Sequence, residues 1–148
     1  AHFDHILAID DLKLKYPKVD VILGEKDIPL FKNVLSQGLY DGKTFTQIKS
    51  EVMPAREGSV LPFGAKEIHV IETPGHTPGG VCFQIEDKLF SGDTIFYHAY
   101  GRIDFPESRK SDMQESLVRV LKLGEDITIY PGHGIETSVK EEKHFYRV

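Results

Sequence analysis

Residues 67–93, EIHVIETPGHTPGGVCFQIEDKLFSGD, decide the predicted fold. Apolar and polar residues alternate over residues 67–73, and a second apolar run covers residues 81–85, which is typical of β-strands. A two-residue turn at 86–87 separates that run from a short partner strand at 88–90, so a hairpin is predicted. The sequence therefore predicts a sheet whose strands are joined by a glycine-rich loop and a tight turn.

Helical patterns lie on both sides of this sheet region. Apolar residues recur at helical spacing over residues 6–16. A second helix is predicted to follow a cap at Asp27, and a short third helix is predicted near residues 45–52, within an irregular segment at 38–56. Two residue pairs have the spacing of a capping box and predict that a helix begins at each: Ser111 with Gln114, and Ser138 with Glu141.

Short strands and one long loop complete the pattern. The strands are predicted at residues 19–23 and 127–130, and the loop covers residues 96–111. Strands and helices alternate over most of the chain, with one hairpin in the middle, which favours a layered α/β (α+β) fold with mixed sheets. Neither an internal repeat nor a linker is visible, so we predict a single domain over residues 1–148.

Composition and charge exclude several classes of protein. A chain of 148 residues with 40% hydrophobic and 28% charged residues can form a packed domain. Its net charge of -5, without a basic cluster, disfavours nucleic-acid binding. No apolar run approaches the ~18 residues of a membrane span, so no membrane association is predicted. The single cysteine, Cys82, excludes an internal disulfide, favours a cytoplasmic location and is predicted to lie in the core.

Six side chains with metal-binding groups stand at the start of the chain or beside glycines: His2, Asp4, His5, His76, Asp93 and His133. His2 and Asp4 are two residues apart, which places them on one side of an extended segment. Imidazoles and carboxylates without thiolates suit zinc, iron or manganese. The carboxylate of Asp93 can bridge two cations, which would lower the pKa of a shared water to ~7 and provide a hydroxide that attacks a carbonyl. The other histidines are predicted to be structural: His69, His98 and His144.

Four short motifs occur in order along the chain: His-x-Asp-His at 2–5, Pro-Gly-His-Thr-Pro-Gly at 74–79, Gly-Asp-Thr at 92–94 and Pro-Gly-His-Gly at 131–134. Together they resemble the metallo-β-lactamase superfamily, and in particular its glyoxalase II-like branch, which contains hydroxyacylglutathione hydrolases and their single-domain relatives. The resemblance extends over nearly the whole chain. It implies an αβ/βα sandwich with mixed sheets and a site for two divalent metal ions.

The resemblance also implies a ligand set. The opening motif of the family is Thr-His-x-His-x-Asp-His, and Ala1 falls on the x between its first two histidines. We therefore expect that the first motif histidine, and the first strands of the domain, precede this chain and are missing from it. One metal would be bound by that histidine with His2, His76 and Asp93, and the other by Asp4, His5, Asp93 and His133. Zinc is the expected metal, with iron or manganese as alternatives.

Residues after Asp93 bear on the substrate. Arg102 lies nine positions beyond Asp93, where glutathione-thioester hydrolases carry a basic residue that contacts glutathione. Asp104 stands where those enzymes have a tyrosine, and Gly-Arg-x-Asp is instead the pattern of the single-domain relatives and of persulfide dioxygenases. Arg102 and Asp104 could pair on the surface, or Asp104 could orient a ligand histidine. Tyr97 is predicted either to line the substrate pocket or to pack against its own loop.

These observations predict a metal-dependent hydrolase of thioesters or related esters, acting on a small molecule such as a glutathione thioester. Asp4 and Asp93 are the predicted catalytic residues, since Asp4 can accept a proton while it binds metal. A persulfide dioxygenase with one iron is the alternative, in which the histidine before Ala1 would join His76 and Asp93. A third alternative is an inert fragment. β-Lactam hydrolysis is disfavoured, because many such enzymes carry a cysteine at the position of Asp93.

Overall fold

The computed structural model describes residues 1–40 and 42–147. Asp41, which belongs to the predicted irregular segment, and Val148 lie outside the described residues. The chain divides into two compact units, Ala1–Ala55 and Arg56–Val148. The prediction of a single domain stays a prediction.

The first unit is mainly helical. It contains α1 (Phe3–Ile6), α2 (Ile9–Lys15), β1 (Ile22–Gly24), a 3-10 helix (Glu25–Asp27), α3 (Ile28–Lys32), α4 (Val34–Tyr40) and β2 (Met53–Ala55). Strand β1 pairs in parallel with β2. A small core forms where buried side chains meet: Ile6, Phe31, Val34 and Ile48.

Two helix predictions in this unit are wrong. The helix predicted over 6–16 is two helices, because the chain leaves the helical conformation at Ala8 (φ -84°, ψ 0°), between Ile6 and Ile9. No helix occurs at 45–52, all of which is described. The carboxylate of Asp10 accepts hydrogen bonds from the backbone N–H groups of Lys49 and Ser50, which holds the segment in another conformation. The hydroxyl of Ser50, followed by the N–H of Lys49, lowers the pKa of Asp10.

The predicted cap at Asp27 is also corrected. Asp27 occupies the N-cap position of α3, but its side chain makes no capping hydrogen bond. The buried carboxylate instead accepts a hydrogen bond from the amino group of Ala1 at 2.9 Å. The helix begins without it because Pro29, in its first turn, has no N–H to satisfy.

The second unit is built on a six-stranded sheet in the order β10-β9-β6-β5-β4-β3. Its strands are β3 (Val60–Phe63), β4 (Lys66–Glu72), β5 (Val81–Ile85), β6 (Lys88–Gly92), β9 (Thr128–Pro131) and β10 (Thr137–Ser138). Strands β6 and β9 pair in parallel, and the other neighbours pair antiparallel. The mixed sheet and the hairpin between β5 and β6 agree with the predicted fold class.

One face of this sheet packs against two helices, α5 (Lys110–Leu121) and α6 (Val139–Tyr146). Cys82, Leu89 and Ile129 alternate inward along their strands and are completely buried against the helices. Burial raises the pKa of the Cys82 thiol, and the prediction that this residue belongs to the core is confirmed. None of the described helices is long and apolar enough to span a membrane.

The N-termini of the two helices test the capping predictions. The hydroxyl of Ser138 accepts a hydrogen bond from the N–H of Glu141 at 3.1 Å, so α6 is capped as predicted. Helix α5 instead begins at Lys110, before Ser111, whose hydroxyl bonds the carboxylate of Asp112. The predicted loop at 96–111 contains a short hairpin formed by β7 (Ile95–Phe96) and β8 (Ala99–Tyr100).

Two valines on α5 allow a matched test of this packing. Val120 is 0% exposed and Val118 is 48% exposed. We expect Val120→Ala to lower the free energy of unfolding by about 2 kcal/mol, because it removes buried methyl groups and leaves a cavity. Val118→Ala should change it by less than ~0.5 kcal/mol. Urea denaturation measures both, and equal effects would contradict the described packing.

Candidate metal site

Three strands that run in the same direction end at one edge of the large sheet. Strand β6 is parallel to β9, and β4 has the direction of β6 because both pair antiparallel with β5. The segments that follow these strands carry His76 after β4, Asp93 after β6 and His133 after β9. The topology therefore brings residues far apart in sequence to one edge, where functional loops are commonly found.

The two imidazoles converge on a single oxygen atom. Nε2 of His76 lies 3.3 Å from Oδ2 of Asp93, and Nε2 of His133 lies 3.6 Å from the same oxygen. The side chains of His76 and Asp93 are each 12% exposed, whereas that of His133 is 54% exposed. The cluster thus has a buried side at His76 and Asp93 and an open side at His133.

The orientation of His76 is fixed by a backbone group. Its Nδ1 lies 2.7 Å from the carbonyl oxygen of Arg102. A carbonyl oxygen only accepts hydrogen bonds, so Nδ1 carries the proton and donates it. In the neutral ring Nε2 then presents its lone pair toward Asp93, which is the arrangement that metal-binding histidines adopt.

The donor set fits a transition-metal ion. Nitrogen and carboxylate oxygen atoms that carry lone pairs repel one another at such distances unless a proton or a cation lies between them. Metal–ligand bonds of about 2.0–2.1 Å place neighbouring corners of a tetrahedron roughly 3.3–3.4 Å apart. The separation between His76 and Asp93 matches that spacing, and that of His133 is slightly longer. The absence of sulfur in this set suits zinc, iron or manganese.

A pair of buried hydroxyls joins the segments that carry His76 and Asp93. Thr73 and Thr94 are 1% and 3% exposed, and their Oγ1 atoms are 2.8 Å apart. Thr73 precedes the loop with His76, and Thr94 directly follows Asp93. The bridge therefore restrains both ligand residues at their backbones. Thr94 belongs to the Gly-Asp-Thr motif and Thr73 directly precedes the Pro-Gly-His motif, but no pattern in the sequence indicates that they contact each other.

Gly101 packs closely against the backbone of Asp93 and the ring of His76. A β-carbon at this position would overlap the carbonyl oxygen of Asp93 and would lie 3.1 Å from Cγ of His76. Only glycine lets the segment before Arg102 pack so closely against the candidate ligands.

The side chains of Arg102 and Asp104 pair with each other at the surface. The guanidinium of Arg102 donates two hydrogen bonds, at 2.9 and 2.8 Å, to the carboxylate of Asp104. These bonds lower the pKa of Asp104. The two residues form an exposed pair, and the guanidinium also lies 4.5 Å from the ring centroid of Phe105. The backbone carbonyl of Arg102 contributes to orienting His76, and the roles predicted for the side chains of Arg102 and Asp104 stay predictions.

Neighbouring aromatic residues point to different partners. Phe96 meets the ring of His133 edge-on at 6.1 Å, and Phe105 meets that of His76 at 5.7 Å. Tyr97 instead stacks on His98 at 3.9 Å. Phe96 and Phe105 are therefore site residues that sequence reasoning missed, whereas substrate binding by Tyr97 stays a prediction.

The opening motif lies in the unit Ala1–Ala55. His2 has an extended backbone, and α1 begins at Phe3, so the extended arrangement predicted for His2 and Asp4 is wrong. Asp4 and His5 are exposed neighbours on α1, with Oδ2 and Nε2 3.8 Å apart. Metal binding by His2, Asp4 and His5 stays a prediction.

Comparisons with known proteins decide the family. The family model described as the metallo-beta-lactamase superfamily matches residues 1–133. The chain belongs to the metallo-β-lactamase superfamily. The predicted family and fold class are therefore confirmed.

Individual relatives support this assignment. The chain is 31% identical over 147 residues to hydroxyacylglutathione hydrolase GloC of Haemophilus influenzae, covering 97% of this chain and 69% of that protein. It is 30% identical over 138 residues to a probable polyketide biosynthesis zinc-dependent hydrolase, BaeB, of Bacillus velezensis, covering 90% and 53% of the two chains. The structure of TTHA1623 in a di-iron-bound form superimposes with a TM-score of 0.87 and 32% identity. The match covers 98% of this chain and 72% of that one.

The close packing at Gly101 generates a test. We expect Gly101→Ala to weaken zinc binding about tenfold to a hundredfold, because the added methyl displaces Asp93 and His76. Gly124→Ala is the control, since its β-carbon would meet only the movable carboxylate of Asp126. Chelator competition measures the affinity. Unchanged zinc affinity in a folded Gly101→Ala protein would contradict the proposed packing role.

The hydroxyl bridge generates another test. Thr73→Val or Thr94→Val alone should lower the free energy of unfolding by about 1–3 kcal/mol, because each leaves a buried hydroxyl without this bond. The double substitution should cost less than the sum of the two, with a coupling of about 0.5–3 kcal/mol. Urea denaturation of all four proteins measures the coupling, and strictly additive effects would show that the two hydroxyls do not interact.

Proposed function

We propose that this protein is a metal-dependent hydrolase that cleaves a thioester or a related ester of a small molecule. The observation that carries the proposal is the convergence of His76 and His133 on one oxygen of Asp93. Membership of the metallo-β-lactamase superfamily supports it, because members of this superfamily are generally hydrolases.

His76, Asp93 and His133 would hold the metal, and the family resemblance adds His2, Asp4 and His5 to the set. Bound cations would supply Lewis acidity, which polarises a carbonyl and lowers the pKa of a water molecule toward ~7. The donor atoms and the zinc-dependent relative favour zinc, and the di-iron form of TTHA1623 supports iron as the alternative.

The protein's own residues prepare this site before any substrate binds. The carbonyl of Arg102 holds the Nδ1 proton of His76, so the ring keeps its Nε2 directed at Asp93. The rings of Phe96 and Phe105 pack edge-on against those of His133 and His76, and the side chain of His76 is only 12% exposed. Asp4 is proposed to accept a proton during the reaction.

A glutathione thioester is the proposed substrate class, supported by the similarity to GloC. Arg102 is the candidate for contact with a substrate carboxylate, since its side chain is 68% exposed. Asp104 already binds that guanidinium, so a substrate carboxylate would compete with it. We therefore propose that Arg102 contributes modestly to affinity and that the metal site determines the reaction.

The dioxygenase alternative involves only two of the three clustered residues. A single iron held by two histidines and a carboxylate would need His76 and Asp93 with the histidine expected before Ala1. It gives no role to His133, although Nε2 of His133 lies 3.6 Å from Asp93. The geometry therefore favours the hydrolase.

Metal content and substrate turnover test the proposal together. The protein loaded with zinc or ferrous iron is assayed with S-lactoylglutathione, and with glutathione persulfide in an oxygen electrode. We expect thioester hydrolysis without oxygen consumption. Asp93→Asn should lower both metal content and hydrolysis at least about a hundredfold. His144→Ala, a substitution of an exposed histidine on α6, is the matched control.

The same measurements address the opening motif. Asp4→Asn with His5→Ala is expected to reduce the metal content from about two ions to about one per chain. Full metal content and activity in Asp93→Asn would contradict the proposal. Oxygen consumption with the persulfide, without thioester hydrolysis, would establish the dioxygenase. A wild-type chain that binds no metal would support the inert-fragment alternative.

A further inference from the structure

The loop that carries His76 is tied by its backbone to α5 and to the two residues before that helix. The carbonyl groups of residues 74–76 each accept one hydrogen bond. The first is donated by the hydroxyl of Ser116 at 2.6 Å, the second by the N–H of Arg109 at 2.8 Å, and the third by the hydroxyl of Ser108 at 2.7 Å. Three successive peptide groups, ending at the candidate ligand, are therefore held by one neighbouring stretch of chain.

Close packing reinforces these bonds. Gly75 is buried with a positive φ of 141°, and a β-carbon at this position would overlap the backbone of Met113 in α5. Ser116, one helical turn beyond Met113, is only 3% exposed. A buried hydroxyl that loses its acceptor is costly, because water cannot replace the lost bond. The loop therefore cannot move away from α5 without leaving the hydroxyl of Ser116 unsatisfied.

The segment that leads into α5 also contacts the imidazole of His76. Its Nδ1 lies 2.7 Å from the carbonyl oxygen of Arg102, and its ring meets that of Phe105 edge-on at 5.7 Å. Six residues beyond Arg102, Ser108 holds the backbone carbonyl of the same histidine. The bond to Arg102 can fix the direction of Nε2 only if the backbone of His76 keeps its place, and Ser108 supplies that second restraint.

We propose that Ser108 and Ser116 are positioning residues that set the metal affinity of the candidate site through His76. The inference rests on the proposed metal binding by His76 and Asp93. Both hydroxyls donate to main-chain carbonyls of the loop, so they act on the position of the imidazole and not on a metal ion. Loss of a group that orients a metal ligand typically costs about tenfold to a hundredfold in metal affinity.

Zinc affinity, measured by chelator competition, is the first test. Ser108→Ala and Ser116→Ala should each weaken zinc binding about tenfold, because the loop that presents His76 gains freedom. Ser108→Thr keeps the hydroxyl and should restore the affinity to within about twofold of the wild type. Ser111→Ala is the control for loss of a hydroxyl from α5, since Ser111 is exposed and bonds the carboxylate of Asp112. It should leave zinc binding unchanged.

A second control separates positioning from general destabilisation. Val120 lies one helical turn beyond Ser116 on α5 and packs in the core rather than against the loop. Val120→Ala should lower the urea midpoint at least as much as Ser116→Ala, yet leave the zinc affinity of the folded protein unchanged. Equal losses of zinc affinity in Val120→Ala and Ser116→Ala would show that both act only through stability and would overturn the proposal.

Nitrogen NMR of the metal-free protein gives a readout that needs no metal. At mildly alkaline pH the neutral imidazole of His76 should carry its proton on Nδ1 alone in the wild type and in Val120→Ala. Ser108→Ala and Ser116→Ala should show a mixture of the two tautomers. A wild type that binds no zinc would overturn the proposed function, and the tautomers would still decide this inference. Wild-type tautomers or wild-type zinc affinity in both folded serine variants would contradict it.

Discussion

Two imidazole nitrogens, Nε2 of His76 and Nε2 of His133, lie 3.3 and 3.6 Å from one carboxylate oxygen of Asp93. Without a cation or a proton such a cluster is electrostatically unfavourable, so the surrounding unit must hold it together. Three strands of common direction deliver the residues to one edge of the sheet. The stability of the unit comes from the face of the sheet that is buried against α5 and α6.

Groups that surround the candidate ligands fix the details of the site. The carbonyl of Arg102 selects the tautomer of His76, the hydroxyls of Thr73 and Thr94 join the two ligand segments, and Gly101 makes room for both. These contacts act on the orientation of the ligands rather than on the metal itself. Small errors in ligand position reduce metal affinity considerably, which explains why such supporting contacts matter as much as the ligands.

The sequence predicted the mixed sheet and the family well, because the hairpin and four ordered motifs are local patterns. It predicted poorly where a distant residue competes with local preference. The helix predicted at 45–52 is replaced because Asp10, about forty positions away, takes the backbone N–H groups of Lys49 and Ser50. The contact between the carbonyl of Arg102 and Nδ1 of His76 was not predicted either. Side-chain patterns carry no information about such backbone acceptors.

X-ray absorption at the zinc edge of the metal-loaded protein tests the central claim most directly, because it reports the atoms bound to the metal. The account predicts only nitrogen and oxygen ligands at about 2.0–2.1 Å, with the outer-shell scattering of imidazole rings. Asp93→Asn should remove much of the zinc. A sulfur ligand at about 2.3 Å, or a metal without imidazole scattering, would contradict the account.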